Sequence, residues 1–130
     1  MQVLVTGASG AIGAELVPRL ARGGHAVRAF ARDPARVTAT GVTEVVRGDA
    51  VTGAGLDEAL AGVDVAYFLI HSMETALNGT GTFVDRDREA ARRFADAARA
   101  AAAKRRAASR SRSAKVPAPL RAVSMEWIRK

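Results

Sequence analysis

Val3-Leu4-Val5-Thr6-Gly7-Ala8-Ser9-Gly10-Ala11-Ile12-Gly13 is an apolar run that passes directly into three glycines at three-residue spacing, followed by Ile12, Leu16 and Leu20 at helical spacing. A buried strand, a glycine-rich turn and the start of a helix in that order form a phosphate-binding unit. Gly7 permits the tight turn, Gly10 lets the backbone approach a pyrophosphate with no Cβ in the way, and Gly13 lets the helix pack close to the strand. The unpaired N–H groups of the helix's first turn, at the positive end of its dipole, then face the phosphates. The flanking strand and helix patterns are what give a glycine triplet its meaning. The candidate cofactor residues here are Gly7, Ala8, Ser9, Gly10, Ala11, Ile12 and Gly13.

Outward from this turn the chain alternates strands and helices. Strands are expected over 26–31, 43–47 and 63–70. Helices are expected over 11–22, bent at Pro18, then 34–37, 56–60 and 84–103, the last with Phe83, Val84, Ala91, Phe94, Ala95 and Ala98 on one face. Residues 71–82, with Gly79 and Gly81, read as a loop. Short connections with right-handed crossovers make the expected fold a Rossmann-type α/β domain, a doubly wound parallel sheet of about four strands in the order 3-2-1-4.

The chain has 130 residues, no cysteine and a net charge of +7. Nine of its 20 Lys and Arg but only one of its 13 Asp and Glu follow Ala103, so residues 1–103 carry a net charge of −1. The basicity belongs to the C-terminal stretch and not to the body. The expected organisation is a nucleotide-binding domain over 1–103 and a basic, disordered or loosely helical tail over 104–130. Trp127 is that tail's only aromatic, which argues against base stacking and makes nucleic acid an unlikely partner. No apolar run approaches the roughly 18 residues of a membrane helix, and nothing points to secretion, so a cytoplasmic protein with no membrane partner is expected.

The spacing Thr-Gly-x-x-Gly-x-x-Gly resembles the short-chain dehydrogenase/reductase superfamily. Gly24-His25-Ala26-Val27-Arg28-Ala29-Phe30-Ala31-Arg32-Asp33-Pro34, Val46-Arg47-Gly48-Asp49 and Val65-Ala66-Tyr67-Phe68-Leu69-Ile70-His71-Ser72-Met73 look like its NmrA-like, NAD(P)H-binding branch. The resemblance covers about the first hundred residues. It implies a dinucleotide cofactor and places Asp49 beside the adenine amino group with Ala50 next to the ring. It also implies a catalytic tyrosine with a lysine four residues later, and a fifth strand of the Gly-Val-x-Arg-Ile-Val-Tyr type. The only tyrosine is Tyr67, with His71 at the lysine position, and nothing after Ala103 matches the fifth strand.

The residues themselves add three readings. Ala31 stands where an NAD-selective domain carries an acid, and Arg32 follows it with a fork of donors for a 2′-phosphate, so NADP is the expected cofactor, with NAD also allowed. The competing reading pairs Arg32 with Asp33 or Asp49, and makes Asp33 the turn acid before Pro34 and Asp49 a turn cap. Leu69, Ile70 and His71 end the fourth strand on the side where open α/β sheets bind ligands. Catalytic residues and the small-molecule substrate remain unassigned.

The functional expectation is the NAD(P)-binding domain of an NmrA-like oxidoreductase, truncated and not catalytic alone. The alternatives are a noncatalytic NADP-binding regulator or redox sensor, and an interaction protein acting through its basic tail. An uncovered fourth strand at the sheet edge would invite self-association.

Overall fold

The computed structural model describes residues 1–71, 83–111 and 121–124. Five strands form one parallel sheet: β1 (Gln2–Thr6), β2 (Ala26–Ala31), β3 (Val42–Arg47), β4 (Val65–Phe68) and β5 (Arg121–Ser124), in the order β3-β2-β1-β4-β5. The helices are α1 (Ala11–Arg22), α2 (Leu56–Leu60) and α3 (Phe83–Ser111), with a 3₁₀ turn at Pro34–Arg36.

The middle of β1, Val3-Leu4-Val5, is apolar on consecutive residues because both faces of the strand are covered. Alternation sends Val3 and Val5 to one side, in register with Val27 and Ala29 of β2, and there Val17 of α1 closes the core with half-buried Leu16 and Leu20. Leu4 goes to the other side with Phe30, Ala66 and Phe68, where α2 supplies Leu56, Ala59 and Leu60, and α3 supplies Ala90, Phe94 and Ala98. The Phe68 and Phe94 rings meet at 4.9 Å between centroids. Arg28 interrupts this second face for a reason the strand pattern does not show. Its Nη1 donates to the Ala59 and Ala61 carbonyls (2.9 and 2.8 Å), and its Nε reaches Glu44 at 2.7 Å. A cation thus satisfies the orphan carbonyls at the negative end of α2.

Several expectations need correction. The buried row of α3 is Ala90, Phe94 and Ala98, whereas Val84 is 59% exposed and Ala91 is exposed too. In a helix so rich in alanine Phe94, the aromatic of its middle turns, sets which face turns inward. In α1 the inward line is Gly13 and Val17, and Ile12 is exposed. β4 is shorter than residues 63–70, because Val63 is held in the turn that closes α2, its N–H donating to the Leu60 carbonyl at 3.3 Å.

The largest correction concerns the C-terminal stretch. The break expected at Ala103 is absent: α3 runs on to Ser111, about 43 Å of helix. Residues 121–124 then pair with β4 in parallel register, Val65 opposite Arg121 and Phe68 opposite Ser124. β4 is therefore an interior strand, which removes the premise of self-association through its edge. The remainder of the expected tail, and residues 72–82 of the expected loop, lie outside the described residues.

One residue of that stretch ties α3 to the sheet. Arg105 donates through Nη1 to the Val63 carbonyl at 2.8 Å and through Nη2 to the Asp64 carboxylate, which also accepts from the Gln2 N–H at 2.7 Å. Partial burial pushes the Asp64 carboxyl up. The Gln2 and Arg105 hydrogen bonds and the Arg105 charge outweigh it and hold the group below its ordinary value. Because the folded-state value is the lower one, this stabilisation is fully present above the unfolded value, about 3.9, and is lost as the pH falls through the folded value.

Arg105→Ala is expected to lower the unfolding free energy by about 1–2 kcal/mol in neutral denaturant titrations, a charge-assisted bond discounted for partial exposure. The deficit should shrink below about pH 4. An unchanged midpoint at neutral pH would show that the latch contributes nothing.

Candidate functional site

The carboxyl ends of β1, β2, β3 and β4 open into one groove of about 670 Å³. Its β1 side is built by a coupled set of close contacts. Thr6, fully buried, donates through Oγ1 to the Tyr67 carbonyl and accepts from the Leu69 N–H, both at 3.1 Å. This hydroxyl fastens the end of β4 to the end of β1. Gly7 follows at φ +71°, and a Cβ there would sit 2.9 Å from the Leu69 carbonyl oxygen. Both the positive φ and the approach of Leu69 require glycine.

Gly13 is needed for a different reason. A Cβ there would run into the Gly7 carbonyl and lie 2.6 Å from Ala8 Cα, so the helix can only come this close to the turn without one. Gly10 is different again: it has ordinary extended backbone (φ −83°), and a Cβ would meet only the Gly7 oxygen, at 3.3 Å. A side chain at Gly10 thus asks the turn to give by only a few tenths of an ångström, far less than at Gly7 or Gly13, whereas a ligand lying against the turn would leave it no room.

The start of α1 fits such a ligand. Gly10 caps the helix without any side-chain hydrogen bond, and the first turn contains no acid. The first intrahelical bond runs from the Ala14 N–H to the Gly10 carbonyl at 2.9 Å, so the N–H groups of Ala11, Ile12 and Gly13 precede the helical ladder. An anion placed there meets donors and the positive end of the dipole with no carboxylate in competition.

Of the residues expected from sequence, the groove brings together Gly7, Ser9, Gly10, Arg32, Asp49, Ala50, Leu69, Ile70 and His71. Ala8, at 1% exposure, is in the core, Gly13 is buried behind the turn, and Ala11 and Ile12 are exposed beside the groove without lining it. The groove also takes in Phe30, Ala31, Asp33, Arg36, Gly48, Val51 and Arg86, which the motif reading did not single out as contacts. Gly48 was legible as part of Gly48-Asp49. A Cβ there would collide with both the Ala54 carbonyl and the Phe30 ring edge, so glycine at this position lets Phe30 pack under the turn.

Asp33 and Asp49 both act locally. Asp33 caps the 3₁₀ turn by accepting from the Ala35 N–H at 3.1 Å. Asp49 Oδ1 accepts from the Val51 N–H at 2.8 Å, while its carbonyl accepts from Gly53, which closes the turn carrying Ala50 and Val51. At the far end of the groove His71 Nδ1 lies 2.9 Å from Asp87 Oδ2 of α3. The carboxylate fixes that edge of the imidazole and leaves Nε2 for other partners. His25 lies at the opposite end of the sheet, just before β2. Tyr67 lies within β4 and packs half-buried into the α1 side of the core. Among the described residues no cluster of three or more His, Asp or Glu could hold a metal ion, and no helix is long and apolar enough to cross a membrane.

A parallel sheet whose first strand ends in a glycine turn at an uncapped helix, with the ligand groove across the strand ends, defines a dinucleotide-binding Rossmann domain. The family model described as NAD(P)H-binding matches residues 7–130. The chain belongs to that NAD(P)H-binding family, and the match extends past the hundred residues over which the sequence motifs resemble it.

The chain is 52% identical over 69 residues to a (4-alkanoyl-5-oxo-2,5-dihydrofuran-3-yl)methyl phosphate reductase of Streptomyces griseus, covering 52% of this chain and 24% of that protein. It is 42% identical over 66 residues to a 3-beta-hydroxysteroid dehydrogenase of Mycolicibacterium neoaurum, covering 51% of this chain and 18% of that protein. A short-chain dehydrogenase/reductase superfamily protein of Agrobacterium tumefaciens, solved with bound NAD, superposes with a TM-score of 0.60 at 36% identity, covering 78% of this chain and 30% of that one. The chain thus spans about a quarter or less of the length of these curated relatives.

Gly10→Val is expected to abolish dinucleotide binding while leaving much of the fold intact by circular dichroism, with a modest loss of thermal stability from the poorer helix cap. Gly13→Val should instead unfold the domain, because its methyl groups have no space between helix and turn. A folded Gly10→Val protein that binds cofactor with unchanged affinity in calorimetric titration would show that the ligand does not lie on this turn.

Proposed function

We propose that this chain is the cofactor-binding part of an NmrA-like oxidoreductase of the cytoplasm, that it prefers NADPH to NADH, and that its 130 residues do not turn over substrate alone. The glycine turn against an uncapped helix start carries the reading, and the end of β2 supports the preference. Ala31 offers no carboxylate to repel a 2′-phosphate, and Arg32 and Arg36 both line the groove beside it. Asp33 is occupied in capping the turn that carries Arg36. In this site the turn and the α1 N–H groups hold the pyrophosphate, the Asp49–Val51 turn takes the adenine, and Leu69 to His71 border the nicotinamide. When bound, the nicotinamide would be the hydride carrier for the oxidoreductase, and this chain's own residues would hold and orient it.

The absence of a tyrosine and lysine four residues apart favours a chain that binds cofactor without chemistry. The relatives named as a reductase and a dehydrogenase are four or more times longer than the region matched. The same absence supports the second reading, a noncatalytic NADP-binding regulator or redox sensor.

Calorimetric titration of the purified chain should show NADPH binding at least about tenfold more tightly than NADH, the worth of one charge-assisted contact, and Arg32→Ala should remove most of the difference. Equal affinities in the unmutated chain would overturn the NADP assignment. NADPH oxidation against a panel of carbonyl compounds should stay at background, and turnover would overturn the noncatalytic reading.

A further inference from the structure

We propose that Arg86 covers the adenine ring of the bound dinucleotide, stacking its guanidinium plane on the base from the α3 side of the groove. The inference rests on the dinucleotide reading above and adds a contact made by a helix far from the glycine turn.

Arg86 is half-buried and lines the groove together with Ala50 and Val51. Its helix runs along the turn that carries them, since the Cδ of Arg93 lies 3.5 Å from the position of a Cβ on Gly53. Seven residues are close to two full helical turns, so Arg86 leaves α3 on the same side as Arg93, about 10 Å nearer the strand ends. In the same groove Ala50 is buried at 3% exposure and Val51 is half-buried, an apolar wall beside Asp49 that suits the face of a flat, neutral ring.

The neighbouring charges leave Arg86 available. Asp87 faces His71, Glu89 takes Arg92 and Arg93, and Asp96 takes Arg99. Among the described residues Arg86 forms no ion pair or hydrogen bond. A planar, weakly hydrated cation at the rim of an apolar slot is the group best suited to close it over a π system.

The test is titration of the full chain and its Arg86→Ala and Arg86→Lys variants with NADPH, NADH, AMP and nicotinamide mononucleotide, with folding checked by circular dichroism. Arg86→Ala should weaken NADPH, NADH and AMP by a common factor of about three- to thirtyfold and leave nicotinamide mononucleotide unchanged. Arg86→Lys should retain most of that loss, because an ammonium keeps the charge without the plane. Wild-type affinity in Arg86→Ala would overturn the proposal. So would full rescue by lysine, or a loss confined to NADPH, either of which would assign Arg86 to a phosphate. An unmutated chain that binds neither dinucleotide would overturn the dinucleotide reading itself, and this inference with it.

Discussion

The Thr6 hydroxyl and the bare backbone of Gly7 hold the end of β4 against the end of β1, and the meeting of the glycine turn with Leu69 to His71 in one groove depends on that contact. The hydroxyl is fully buried and uses its donor and one acceptor site on β4 backbone, so it fixes Leu69 in height as well as in distance. Gly7 then turns away in a conformation and a space that no other residue tolerates. From this fixed point α1 starts at the angle that Gly13 permits, and Leu69 to His71 enter the same groove as the glycine turn. The strand order places β2 on the other side of β1, so the contacts from Ala31 to Arg36 extend the groove in the opposite direction.

Much of this was legible because several local signals agreed. The boundaries of β1, α1 and α2 follow from apolar patterns closed by glycine, that of β2 from a run between Gly24 and Asp33-Pro34, and the groove residues at the strand ends follow from the topology those runs imply. The fifth strand was not legible. Arg121-Ala122-Val123-Ser124 offers one strong β-former in four residues, two residues after Pro119, and its place beside β4 comes from parallel pairing that local sequence does not announce. The extension of α3 to Ser111 is the opposite case. Ala, Lys and Arg are good helix formers, and their charge drew the reading towards a solvated tail although their propensity pointed to helix.

The same contrast holds within the site. Gly7, Gly10, Arg32, Asp49 and His71 stand next to motif glycines or strand ends and are found by counting. Arg86 and Arg36 are brought in by where α3 crosses the sheet and by how the 3₁₀ turn is capped, and no spacing in the sequence encodes either distance. Arg105, counted as part of a basic run, is an interior tie because Asp64 lies within reach at the foot of β4.

The groove crosses the ends of four strands, and each wall belongs to a different βα unit. A dinucleotide spanning it would touch all four units at once, adding to the strand pairing, the two core layers and the side-chain ties of Thr6, Arg28 and Arg105 that already join them. Cofactor level is then a folding variable: a ligand at a hundred times its dissociation constant adds about 2.7 kcal/mol to the native state. In a cell the abundance of this domain would follow the dinucleotide pool, with the empty form left open to proteases and the loaded form protected.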